Sequence, residues 1–235
     1  MDSKTGQVTR NSFIVDGKEV WIIADPAHLV KNWRNGLVSY DFLLSDQTVE
    51  TYQLHSNRVS FKHIIEVAKF QRGSKWKYAA HLPEEYFLHN NLHFDKMNVQ
   101  TARKILSSKT AVAIEQLVEV HGYQKEYLTT AWFCRWFSKW YDYTTSRNAK
   151  LGFSKKKIHK YHEALNFLDE FFLVVVNMSF DCPGKVETRK PFKCWLLMTT
   201  KSIKALVHYF IEVVGFGFLR CGKFTTEGKF YKSSL

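Results

Sequence analysis

Between Val99 and Leu117 the apolar residues Val99, Ala102, Ile105, Leu106, Ala113, Ile114 and Leu117 recur mostly at steps of three and four. That spacing lines one face of an α-helix, and Gly122 supplies a residue suited to a left-handed C-cap. The same rhythm returns at Ile64, Ile65, Val67, Ala68 and Phe70, ahead of Gly73, and again over residues 157–176 and 201–214. A chain whose middle is so persistently helical cannot be an all-β protein. Strand signals lie towards its ends. Residues 12–15 and 19–24 are two short runs joined by Asp16-Gly17, a hairpin dipeptide. Pro26 stops the second run and suits the first turn of a helix over 28–35. After Gly215, residues 216–219 and 223–226 read as strand or turn. The fold class is therefore α+β, mostly α-helical.

Charge narrows the partners. Thirty-four Lys and Arg against 22 Asp and Glu give a formal charge of +12, an excess that suits nucleic acid or another phosphate-rich partner. Basic clusters at residues 69–77 and 155–160 are either solvated faces or phosphate contacts. The aromatics of "AWFCRWFSKWYDY" fall at helical steps and read as core before they read as a stacking surface. The four cysteines, Cys134, Cys182, Cys194 and Cys221, have no CxxC spacing and read as reduced thiols of an intracellular protein. No signal peptide is visible. The most apolar run, residues 167–178, is interrupted by Asp169, Glu170 and Asn177 and is too short for a bilayer. A soluble protein with no membrane partner is expected.

The common nucleotide and hydrolase signatures, GxxxxGK[ST], GxGxxG, GxSxG and HExxH, are absent. His159 and His162 share a helix face but lack an evident third ligand, so they read as surface residues. One acid stands out. Asp25 closes the second apolar run just before "PAHLVKNWRNGL". It is either the cap of the following helix or a carboxylate of a two-metal phosphoryl-transfer site, which needs several acids around ions about 3.5–4 Å apart.

"DPAHLVKNWRNGL" resembles the Asp-Pro-Pro-His-Leu-Leu-Lys-x-x-Arg-Asn segment of P-element-type transposases, relatives of the THAP-domain transposases. "FDKMNVQTARKILSSKTAVAIEQL", "WFSKWYDYTTSRN" and "TTKSIKALVHYFIEVVGFGFLRCGKFTTEGKF" are similar to further blocks of that family, in the same order. The resemblance implies a helical GTP-binding insertion domain over residues 36–198. It would be flanked by partial RNase H-like segments over 1–35 and 199–235. It implies guanine nucleotide and Mg2+ as cofactors and DNA as a partner; a nuclear location, otherwise a cytoplasmic one, and a homo-oligomer as one form of the assembly are expected. Residue by residue, Asp25 matches a catalytic, metal-binding carboxylate. Lys96 falls beside the nucleotide, and Ala111 and Val112 fall where the family packs against it. Tyr141 takes the place of an aromatic that stacks on guanine. Asp142 matches the acid that accepts the guanine N1–H and 2-amino donors, and Glu227 matches a second guanine contact.

Departures from the pattern bear on activity. Phe230 occupies the position of the third catalytic carboxylate, and a phenyl ring cannot ligate magnesium. The first catalytic acid has no counterpart before Asp25, so a truncated, nuclease-inactive protein is expected. Two other readings stay open: a basic nucleic-acid-binding module without nucleotide chemistry, and a transposon relic with no selected activity.

Overall fold

The computed structural model describes residues 11–72, 77–82, 98–147 and 152–223. It divides into two compact units. One comprises Met1–Leu29, Trp140–Leu173 and Lys193–Leu235, the other Val30–Lys139 and Val174–Phe192.

The second unit holds a four-stranded antiparallel sheet in the order β4-β3-β6-β7, built from β3 (Asp41–Leu43), β4 (Arg58–Val59), β6 (Ser179–Cys182) and β7 (Lys185–Glu187). None of these two- to four-residue strands was evident in the sequence. Phe42 faces Phe180 across β3 and β6, both fully buried, so the alternation of a strand puts Asp41 opposite Asp181 on the other face. Like charges directly opposite destabilise a sheet. Arg58 on β4 resolves the conflict, its Nη1 donating to Asp41 Oδ2 and Asp181 Oδ2, both at 2.7 Å. The two carboxylates hold the guanidinium above its ordinary pKa.

Over the buried sheet face sits an aromatic cluster. Trp33, on α1 (Pro26–Ser39), is fully buried and meets Phe42 edge-on at 5.3 Å and Phe192 at 5.1 Å. Phe133 and Phe137, from α6 (Tyr127–Thr145), close the cluster at 6.2 and 5.6 Å from the same indole. Its Nε1 donates to the Phe192 carbonyl at 3.3 Å, which satisfies a donor that burial would otherwise strand. Trp132 and Trp136 pack on Tyr52 at 5.1 and 4.8 Å, so both are packing residues of α6.

Helices α2 (Asp46–Thr51) and α3 (Phe61–Phe70) begin at serine caps, Ser45 and Ser60, which accept from the Thr48 and Lys62 amides. The single helix expected around residues 99–121 is two: α4 (Val99–Ile105) and α5 (Ser108–His121). The break has a side-chain cause. Ser107 Oγ accepts from the Thr110 amide at 3.2 Å, and Thr110 Oγ1 donates to the Lys104 carbonyl at 2.7 Å. Hydroxyls thus replace the helical partners at this point. Gly122 adopts φ 71° and closes α5 as expected.

In the first unit, β1 (Ser12–Val15) and β2 (Lys18–Trp21) form the expected hairpin, with Asp16 and Gly17 both at positive φ. Helix α8 (Pro191–His208) starts ten residues before the apolar pattern suggests. Its inward face carries Thr199, Thr200 and Ser202, which are buried and hydrogen-bonded. Thr199 Oγ1 accepts from the Ala24 amide, Thr200 Oγ1 accepts from the Trp140 indole, and Ser202 Oγ donates to the Asn11 carbonyl. A polar but satisfied core face erases the hydrophobic periodicity. Trp140 also stacks on Phe171 of α7 (Ile158–Asn177), with centroids 5.6 Å apart. Downstream, only Phe218–Leu219 of the expected 216–219 run is strand, β8, pairing with β5 (Phe153–Ser154). Most of the 223–226 run lies outside the described residues. Cys134, Cys182 and Cys221 are buried free thiols, and burial pushes Cys134 and Cys221 up to about 12. Among the described residues no helix is long and apolar enough to cross a membrane.

Two substitutions test this packing. A Cβ added at Gly36 would lie 2.8 Å from Phe192 Cζ. Gly36→Ala gains about 1 kcal/mol in helix propensity but overpacks the ring cluster at a cost of about 1–3 kcal/mol. Urea unfolding should show a net loss; a gain would mean that the Phe192 ring yields freely. His63, on α3, stacks on Tyr127 at 4.0 Å with Nδ1 2.8 Å from Thr130 Oγ1. Burial lowers its pKa from 6.5, with Glu126 opposing only in part. A folded-state pKa below the unfolded one means that the folded form binds fewer protons. The stability is therefore full above about pH 6.5 and is lost as pH falls below it. His63→Gln should flatten the acid limb of a stability–pH curve, and an unchanged limb would remove His63 as its cause.

Candidate functional site

Asp25 is built into a helix start. Pro26 is the first residue of α1, where its missing amide costs nothing and its fixed φ suits the helix. Asp25 Oδ1 accepts from the Ala27 amide at 2.9 Å, and Oδ2 lies 2.8 Å from His28 Nδ1. The Asp25 carbonyl accepts from His28 and Leu29. Both carboxylate oxygens therefore have partners within the first helical turn, and the negative charge sits at the favourable end of the helix dipole. His28, absent from the sequence-derived candidates, is the residue that completes this arrangement. Among the described residues no group of three or more His, Cys, Asp or Glu could hold a metal ion. The contacts observed for Asp25 are those of a helix cap.

Ala111 and Val112 lie in the first turns of α5, in the second unit. Ala111 is fully buried and Val112 is 46% exposed. The helix start beside them is hydroxyl-rich and basic: Ser107, Thr110, Lys104 and Lys109, with His81 Nε2 3.1 Å from Thr110 Oγ1. Burial lowers the His81 pKa, and Lys109 and Lys104 lower it further, so a neutral imidazole is favoured there. The "SSKT" run is the sequence signal for this helix start, masked by the helical spacing on either side of it.

Tyr141 and Asp142 lie in the last turns of α6, within the first unit. Tyr141 is mostly buried, at 8% exposure, and its carbonyl accepts from the Thr144 and Thr145 hydroxyls. Asp142 is exposed, because the next helical position turns about 100° away from the buried face. Of the pair, Asp142 presents its side chain to solvent. Lys96, Glu227 and Phe230 lie outside the described residues.

A protein-family model described as the TNP-like, GTP-binding insertion domain matches residues 27–158, more than half of the chain. The chain belongs to this family. The matched span contains Ala111, Val112, Tyr141 and Asp142. The fold agrees with that of the Drosophila P element transposase in its strand transfer complex, with a TM-score of 0.71 at 19% identity. The likeness covers 94% of this chain and 48% of that one, so the chain spans about half the length of the solved transposase. No curated protein matches the sequence. The protein is thus P-element-transposase-like in family and in its α+β fold.

Within this TNP-like protein, the capping role of Asp25 is directly testable. Asp25→Ala should lower stability by about 0.5–2 kcal/mol, whereas Asp25→Asn, a good N-cap, should retain most of it. Equal losses in chemical denaturation would show that the charge, and not the cap, is what the helix uses.

Proposed function

We propose that this chain binds a guanine nucleotide, with Asp142 reading the base, and that it does not cleave DNA. The family match over residues 27–158 carries the nucleotide half of the proposal. An ionised carboxylate offers only acceptors. The guanine Watson–Crick edge offers N1–H and the 2-amino group side by side as donors, so two charge-assisted hydrogen bonds form together. Adenine places an acceptor where guanine has N1–H, and Asp142 repels it. Asp142 is an exposed residue of α6, so its backbone is held in a helix. Tyr141, the aromatic that the family resemblance sets against guanine, is mostly buried. By the family resemblance, Glu227 makes a second contact to the base. GTP would bring its own charge and, when bound, a magnesium ion on its phosphates.

Absence of nuclease activity is supported by two observations. Asp25 has both oxygens engaged at its helix start, and Phe230 stands where the family resemblance asks for a carboxylate. DNA belongs to the proposal as a binding partner, supported by the fold shared with a transposase solved in a strand transfer complex.

Calorimetric titration of the full chain should show saturable GTP binding and much weaker ATP binding. Asp142→Ala should weaken GTP at least about tenfold, since one hydrogen bond to a charged group is worth about 1.5–3 kcal/mol. Equal affinity for GTP and ATP, or an unaffected variant, would refute base reading by Asp142. Magnesium-dependent nicking of supercoiled DNA by the same preparation would refute the inactive-nuclease half.

A further inference from the structure

The basic run "SKKKIHKYH" is not among the residues assigned above to nucleotide recognition, and its surroundings suit a role of its own. Lys155–Lys157 forms a 3-10 turn leading into α7, followed by exposed His159, Lys160 and His162. Positive charges at the N-terminal end of a helix oppose its dipole, so this cluster is not there to stabilise α7. The turn is fixed against the segment that ends in β8. Ser154 pairs with Phe218 in register, the Lys155 amide donates to the Gly217 carbonyl at 3.2 Å, and Lys155 Nζ is 2.7 Å from Glu212. That segment presents exposed aromatic rings, Phe216 at 47% and Phe218 at 37%. Phe216 is backed by Phe210, stacked at 5.3 Å, and Phe218 carries the Arg220 guanidinium 5.1 Å from its centroid. Glu212 pairs with Lys155. Lys156, Lys157, Lys160 and Arg220 leave the surface strongly positive.

We propose that this surface binds single-stranded nucleic acid, its lysines tracking the phosphates and Phe216 and Phe218 stacking on unpaired bases. Held aromatic faces beside a basic strip are the two elements such recognition needs. A duplex would engage the lysines alone, because its bases are already stacked. The inference stands apart from the guanine-nucleotide reading and uses none of its residues.

The test is fluorescence anisotropy of the full chain with a labelled oligothymidylate, its duplex with oligoadenylate, and vesicles rich in phosphatidylserine. Single-strand binding should exceed duplex binding. Phe216→Leu with Phe218→Leu keeps apolar bulk but removes the ring faces. That variant should bind single strands about tenfold more weakly, with little change on duplex. Lys156→Gln, Lys157→Gln and Lys160→Gln together should reduce the salt slope for single strands by about 2. Unchanged melting temperatures would separate both variants from misfolding. Equal single-strand and duplex affinity, or leucine variants indistinguishable from the parent, would overturn the stacking claim. Vesicle binding without oligonucleotide binding would overturn the whole proposal in favour of an anionic membrane surface.

Discussion

Burial of one indole, Trp33, organises the unit that contains the sheet. It joins α1 and the adjacent β3 to two pieces far along the chain, α6 and the Phe180–Phe192 region. Rings of this size bury large apolar areas and pack edge-on at preferred distances, which fixes orientation as well as proximity. Its one polar atom is satisfied by the Phe192 carbonyl. Truncating such a residue would cost about 3–5 kcal/mol, a large share of the stability of an ordinary domain. The helix that contributes Phe133 and Phe137 to the cluster also bears Tyr141 and Asp142, so the proposed base-reading acid sits on a rigid element and not on a loop.

Much of this was legible in the sequence where a pattern was local. The β1–β2 hairpin follows from Asp16-Gly17, the C-cap of α5 from Gly122, and the start of α1 from Asp25-Pro26. Features set by partners distant in the chain were not. Strands of two to four residues, such as Arg58–Val59, carry too few residues for an alternation to register; pairing with remote strands makes them. The start of α8 was hidden because its inward face uses Thr199, Thr200 and Ser202, polar residues whose partners lie elsewhere. The break between α4 and α5 was missed because Ser107 and Thr110 have the same composition whether they cap a helix or interrupt one. For the site, spacing alone gave Asp25 and its two readings, and the structure supplies the capping geometry. Asp142 came only from family resemblance, since a single exposed acid on a helix has no signature of its own.

Charge tells a similar story. An excess of +12 says that anions will be attracted but not where. The structure distributes it unevenly. Arg58 is consumed by two facing carboxylates and Lys204 by Asp169, whereas the 155–160 cluster lies beside exposed aromatic rings. One sequence property thus divides into structural ion pairs and an accessible surface, and only the second has a chemistry suited to a polyanion.

The claim at the centre is that the Asp142 carboxylate pairs with guanine. Its most direct test exchanges the pairing and does not merely remove it. Asn offers one acceptor and one donor, which matches the N1–H and 2-oxo edge of xanthine and mismatches guanine. In parallel calorimetric titrations, Asp142→Asn should lose affinity for GTP and gain it for xanthosine triphosphate, while the parent chain shows the reverse preference. A variant that still prefers GTP, or that responds equally to both nucleotides, would contradict base reading by Asp142.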